Sequence, residues 1–308
     1  MLVDVPKNSL RKGMFVEAVM CPETEFAKRR FLLTSEQDLR AIVASSAETV
    51  LVNTARSQVA VDGADAGKAQ KSVDPVVATR TRTAITNNIN ALGDTLDMIR
   101  QGEAFDFDAL QPAAASLVDS VTEAPAVLLQ MTRLKSKDQG TFVHCIAVAG
   151  LMARLADETG SDSDTVQLLT TAGLLHDLGK LFIPDAILKK QGELTDAERR
   201  IIRTHPQIGF DILKRYPGVP QVVLDVCRLH HEALDGSGYP LGLSGDEIGP
   251  FVRLSTVCDV FDALTTVRPY KRAWTQEQAI HWMFDRGHLF DRKMVLTLGR
   301  LLDAMDPQ

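Results

Sequence analysis

The chain has 308 residues, 45% hydrophobic and 24% charged, with a net charge of −6. That is long enough for roughly two domains with a sizeable core. The charge gives no global attraction to nucleic acid or an anionic membrane, so an anionic substrate would have to meet local positive charge from metals or a few basic side chains. Four scattered cysteines (Cys21, Cys145, Cys227 and Cys258) form no C-x-x-C pair and fit a reducing compartment. The opening MLVDVPKNSLRKGM has no apolar signal-peptide region, and no apolar run approaches ~18 residues. The expectation is a cytoplasmic protein with no membrane span.

In chain order, residues 1–60 read as a small α/β domain. GMFVEAVM and ETVLVNT are β-like runs, and SEQDLRAIVASS between them has helical spacing with Ser35 as N-cap. Residues 61–104 read as a linker, small and polar through VDGADAGKAQKSVDPVV, followed by a connecting helix over ATRTRTAITNNINALGDTLDMIR. From 105 to 308 helical periodicity dominates. The runs are FVHCIAVAGLMARLADE, TVQLLTTAGLLHDLG, TDAERRIIRTHPQIGFDILKR, VPQVVLDVCRLHHEAL, PFVRLSTVCDVFDALTT and TQEQAIHWMFD. Thr195 with Glu198 and Thr275 with Gln278 predict capping boxes.

Five of the seven histidines fall on successive helices of this second half: His144, His176, His205, His230 and His231. The steps are 32, 29 and 25 residues from His144 to His230, then 28 from His231 to Asp259. Each is about one helix plus a return, so an antiparallel bundle would gather all of them, with Asp177 and Asp259, into one interior cluster. Asp177 sits in an apolar stretch that reads as buried helix, where an unpartnered carboxylate is costly. Imidazole and carboxylate ligands without thiolate favour Fe, Mn, Zn or Ni, and two ions sharing Asp177. Lys180, one turn beyond His176, faces the same pocket. Cys145, Cys227 and Cys258 are read as small core residues, and His281 and His288 as surface or packing residues. The turn Asp235–Gly236–Ser237–Gly238–Tyr239–Pro240 follows the paired histidines directly and permits close backbone approach to a ligand. Arg268 and Lys271, beyond Asp259 and Asp262, carry charge suited to phosphate oxygens.

HDLGK, HHEALDGSGYP and DVFDALTTVRPYK together resemble the HD-GYP family, a branch of the HD metal-dependent phosphohydrolases. The resemblance covers roughly residues 105–290. It implies a mainly α fold, an HD-type helical bundle behind the α/β N-terminal domain. It also implies a two- or three-metal centre that hydrolyses the bacterial second messenger cyclic di-GMP to linear pGpG, GMP or both. By the same resemblance the metal ligands are His144, His176, Asp177, His205, His230, His231 and Asp259. Lys180 belongs to the active site, Gly238, Tyr239 and Pro240 to the substrate loop, and Arg268 and Lys271 hold substrate phosphates. The first 60 or so residues resemble a small domain of unknown function often found before such modules.

The sequence departs from the family at one position. Some members place a third-metal glutamate four residues before the first histidine; here that position is Gly140, and the nearest acid is Asp138. The expectation is therefore two divalent ions, iron or manganese preferred. The rival readings are an HD phosphohydrolase acting on another nucleotide and a non-catalytic cyclic di-GMP sensor. Signalling-protein partners and a homodimer are compatible with the sequence, and a nucleic-acid polymer is not the expected partner.

Overall fold

The computed structural model describes residues 2–19, 21, 25–28, 30–61, 74–128, 140–190, 192–266 and 273–305. The chain divides into two compact units, one built on residues 1–72 with the chain's last residues and one on residues 73–301.

In the first unit, strands β1 (Leu2–Pro6), β2 (Phe15–Val19), β3 (Phe31–Leu32) and β4 (Thr49–Asn53) form an antiparallel sheet in the order β1-β4-β2-β3. Val16 pairs with Val52, and both are fully buried with Met14, Leu33, Val50 and Ile42. Ile42 comes from helix α1 (Glu36–Ala44), whose N-cap Ser35 accepts a hydrogen bond from the Asp38 amide.

The second unit is helical. The connecting helix α2 (Pro75–Gln101) belongs to it, with Asp74 as N-cap and Gly102 closing it in the left-handed conformation. Then come α3 (Gln111–Glu123), α4 (Gly140–Glu158), α5 (Ser163–Leu175), α6 (Asp185–Leu188), α7 (Asp196–Ile202), α8 (His205–Leu213), α9 (Gln221–Leu229), α10 (Pro250–Thr265), α11 (Gln276–Phe284) and the part of α12 (Arg292–Met305) up to residue 301. Both expected capping boxes form, at Thr195 and Thr275.

Two glycines set the helix spacing that the site requires. A Cβ on Gly173 would meet the Ala149 backbone, so α4 and α5 can lie in close contact. Because the chain turns back at 159–162, the start of α4 and the end of α5 fall at the same end of the pair. A Cβ on Gly179 would overlap the His205 carbonyl, so only glycine lets the segment after α5 lie against the first turn of α8.

Two helices break where the sequence pattern reads on unbroken. The helix carrying His176 ends at Leu175, with His176 as C-cap, and Leu178–Phe182 form a 3-10 turn. The run TDAERRIIRTHPQIGFDILKR splits into α7 and α8 at a corner before His205; Pro206, in the first turn of α8, has no amide to donate to the Ile202 carbonyl, which accepts from the His205 ring instead. Short edge strands β1 and β3 also went unread.

Candidate metal centre

Each site histidine sits at a helix end or corner, except His144 in the first turns of α4. Four of the five have Nδ1 fixed by an acceptor outside the cluster. His176 donates to the Gly173 carbonyl at 2.7 Å and His205 to the Ile202 carbonyl at 2.7 Å. His230 Nδ1 faces the carbonyls of Val226 and Cys227 at 3.0 and 3.1 Å. His144 donates to Asp262 Oδ2 at 2.6 Å. With Nδ1 carrying the proton, Nε2 presents a lone pair inward, the arrangement that metal-binding histidines use.

The Nε2 atoms converge on the Asp177 carboxylate, and its two oxygens face different sets. Oδ1 lies 3.2 Å from His205 Nε2 and 3.7 Å from His230 Nε2. Oδ2 lies 3.4 Å from both His144 Nε2 and His176 Nε2. Asp259 Oδ1 is 3.0 Å from His144 Nε2, and its Oδ2 is 3.8 Å from His231 Nδ1. Two groups of ligand atoms result: His144, His176 and Asp259 in one, and Asp177, His205, His230 and His231 in the other.

The donor atoms fit divalent cations. His176 Nε2 and Asp177 Oδ1 are buried without a hydrogen-bond partner, a costly condition for polar atoms unless a cation lies between them. His205 Nε2 and His230 Nε2 stand 3.4 Å apart, and each has its proton on the other nitrogen, so two lone pairs face one another. Among the described residues, the buried carboxylates Asp177, Asp259 and Asp262 outnumber the one ammonium beside them, Lys180. Lys180 Nζ lies 2.5 Å from Asp177 Oδ2.

The electrostatics agree. Burial alone would raise Asp177, but Lys180 and His176 hold it well below the usual carboxylate range. Burial likewise opposes the charge on Asp259, and His144 and His231 overcome it. Burial lowers His205, and burial with His230 beside it holds His231 well below the ordinary histidine value, so both stay neutral donors. Burial also works against a charged His144, yet Asp259 and Asp262 outweigh it and push it up to about 9. The same two carboxylates would favour any cation at that point. Burial raises Cys227 and Cys258, which remain protonated core thiols as expected.

The glycine-rich loop closes one side of the site. The Tyr239 ring stacks on His231, with centroids 4.7 Å apart at 23°, and the Tyr239 amide donates to the His231 carbonyl. A Cβ on Gly238 would overlap the backbone of Glu232 and Ala233, so the loop can pack this closely only with glycine there. The Tyr239–Pro240 bond is cis. Two further residues went unread in the sequence. Asp262 orients His144, and its signal was the i+3 spacing from Asp259. Glu232, buried, accepts from the amides of Leu241 at 2.7 Å and Leu243 at 3.0 Å and so fastens the loop. Its signal was the carboxylate straight after the paired histidines. Arg268, Lys271 and Asp138 lie outside the described residues, and Gly140 begins α4. His281 and His288 are in neither of these two ligand groups.

The chain is similar to known proteins. The HD domain family matches residues 117–294, and a domain of unknown function, DUF3391, matches residues 2–128. The cyclic di-GMP phosphodiesterase PA4108 of Pseudomonas aeruginosa is 36% identical over 94% of this chain and 74% of its own length. The cyclic di-GMP phosphodiesterase response regulator RpfG of Xanthomonas campestris pv. campestris is 33% identical over 90% of this chain and 71% of its own. A 3'3'-cGAMP-specific phosphodiesterase of Vibrio cholerae is 38% identical over 54% of this chain. The structure of Bd1817, an HDG"Y"P protein from Bdellovibrio bacteriovorus, shares the fold, with a TM-score of 0.62 at 18% identity over 98% of this chain and 100% of that one. A helical bundle around a buried His–Asp cluster is the HD class of metal-dependent phosphohydrolases. Within that class, the chain belongs to the HD-GYP family. Among the described residues no helix is long and apolar enough to cross a membrane.

Proposed function

We propose that the protein hydrolyses cyclic di-GMP at a pair of divalent cations, iron or manganese by preference, to linear pGpG, GMP or both. The observation that carries this reading is the division of Asp177, with one oxygen toward His205 and His230 and the other toward His144 and His176. A single carboxylate placed in this way is suited to bridging two ions. His144, His176 and Asp259 would complete one site, and His205, His230 and His231 the other. When bound, such a pair supplies Lewis acidity and an activated water for in-line attack on phosphorus.

The chain's own groups do the rest. Burial would lower Lys180, but Asp177 and Asp259 raise it, so Nζ keeps its proton. It is thereby placed to stabilise charge on a phosphoryl oxygen or to assist the leaving oxygen. The loop Gly238–Tyr239–Pro240, fixed by Glu232, forms a wall against which a nucleotide lies, and Arg268 and Lys271 hold its phosphates. Four cysteines that form no disulfide, three of them buried, support a cytoplasmic setting.

The substrate assignment is supported by the two relatives named for cyclic di-GMP, which match 94% and 90% of this chain. The similarity to a 3'3'-cGAMP-specific enzyme favours a second reading, a mixed cyclic dinucleotide. Comparing turnover of cyclic di-GMP, 3'3'-cGAMP and mononucleotides by anaerobically purified, metal-loaded protein tests both. Preference for a mononucleotide, or no turnover at all, would overturn the proposal.

A further inference from the structure

The face of α7 carries positive charge that the two-ion reading does not use. Asp196, Arg199, Arg200 and Arg203, at i, i+3, i+4 and i+7, line a groove of about 520 Å³ with Leu194 and Ile202. That volume is in the range of small-ligand sites. Arg203 connects the groove to the metal centre. Its guanidinium lies 4.7 Å from the centroid of the Tyr239 ring, and that ring stacks on His231. Arg203 also lies two residues before His205, at the α7–α8 corner.

Some cations of this unit are neutralised by carboxylates. Arg253 pairs with Asp246 and Asp291, and Lys190 with Glu198. Arg203 has an aromatic partner but, among the described residues, no carboxylate. Asp196 lies two turns away, in the first turn of α7, and does not neutralise it. In a chain of net charge −6, an uncompensated guanidinium held against the ring that covers a candidate ligand is suited to an anion.

A cyclic dinucleotide has two phosphates, and only one of them reacts at a time. The other carries a charge of its own, which a further cation beside Arg268 and Lys271 would meet. We propose that Arg203 is a substrate-binding residue for the non-reacting phosphate, its guanidinium positioned by Tyr239 and donating to the phosphate oxygens, with Arg199 and Arg200 extending the positive groove. A planar guanidinium suits this because it stacks on a ring and grips a phosphate with two parallel donors. The inference rests on the proposed cyclic-dinucleotide activity and names a part of its binding site.

The test compares full-length, manganese-loaded wild type with Arg203→Ala on two diesters. One is cyclic di-GMP. The other is bis(p-nitrophenyl) phosphate, which has no second phosphate. Arg203→Ala is expected to raise KM for cyclic di-GMP by about 10- to 100-fold, the loss of a charge-assisted contact, with kcat little changed. Turnover of the small diester and metal content should be unaffected, and Arg203→Lys should restore only part of the affinity. An unchanged KM for cyclic di-GMP, an equal loss on both diesters, or a fall in bound metal would overturn the assignment. If wild type binds cyclic di-GMP in calorimetry but turns over neither diester, the catalytic reading fails, and the same fold-change is then read in Kd. If it neither binds nor hydrolyses, the proposed function falls and this inference falls with it.

Discussion

Asp262 Oδ2 lies 2.6 Å from Nδ1 of His144, and this contact turns the opposite nitrogen of the ring toward Asp177 and Asp259. Asp259 and Asp262 both come from α10, one helical turn apart, so one helix supplies a candidate ligand and the group that orients its neighbour. Asp262→Ala should therefore weaken metal binding by about 10- to 100-fold, the usual effect of removing such an outer partner. Asp262→Asn, which retains an acceptor, should weaken it less. A chelator-competition titration reads this directly, and equal affinity in all three proteins would remove Asp262 from the account.

Gly179 tests the packing that brings His205 to the site. Because an added Cβ would overlap the His205 carbonyl, Gly179→Ala must push α8 away. Overpacking of this kind costs about 1–3 kcal/mol. Urea denaturation should show that loss, and metal content should fall with it. Gly160→Ala is no comparison, since Gly160 has a positive φ; Gly249→Ala, where nothing would meet the Cβ, is the appropriate control and should leave metal content unchanged.

Glu232 tests the loop. Its removal leaves the half-buried Leu241 and Leu243 amides without their acceptor and open to water. Glu232→Ala should speed hydrogen exchange at those two amides and raise KM for the dinucleotide, while amides of α4 and α5 stay protected. Uniform deprotection across the helical unit would instead mean that Glu232 supports the whole fold.

What could be read from the sequence depended on how local the cause was. Capping boxes at Thr195 and Thr275 depend on residues three apart, and both form. The histidine spacing follows from helix length, and the five imidazoles do share one cluster. The break at His176 was missed because it depends on a contact between distant segments, Gly179 against His205; the break before His205 had a local signal in Pro206, which the apolar periodicity on either side of it hid. Asp262 and Glu232 looked like ordinary carboxylates beside stronger motifs. Their roles appear only when Asp262 meets His144, 118 residues away in sequence, and when Glu232 meets a loop that folds back on it.

Asp177→Ala removes the group that both halves of the cluster share. The folded variant, checked by circular dichroism, should lose turnover, because the two ions would lose their common bridge and repel one another. Near wild-type activity in a folded Asp177→Ala protein would contradict the proposed chemistry, whatever its metal content.

The most direct test of the two-ion centre is elemental analysis of wild-type protein purified without oxygen, with turnover of cyclic di-GMP measured on the same sample before and after chelation. The side chains divide into two sets around Asp177, and Gly140, four residues before His144, has no side-chain oxygen to add. The expected result is two metals per chain, with turnover lost on chelation and regained on reloading. Full turnover with one ion or none would contradict the account, and so would three tightly held ions with Asp138 coordinating one of them.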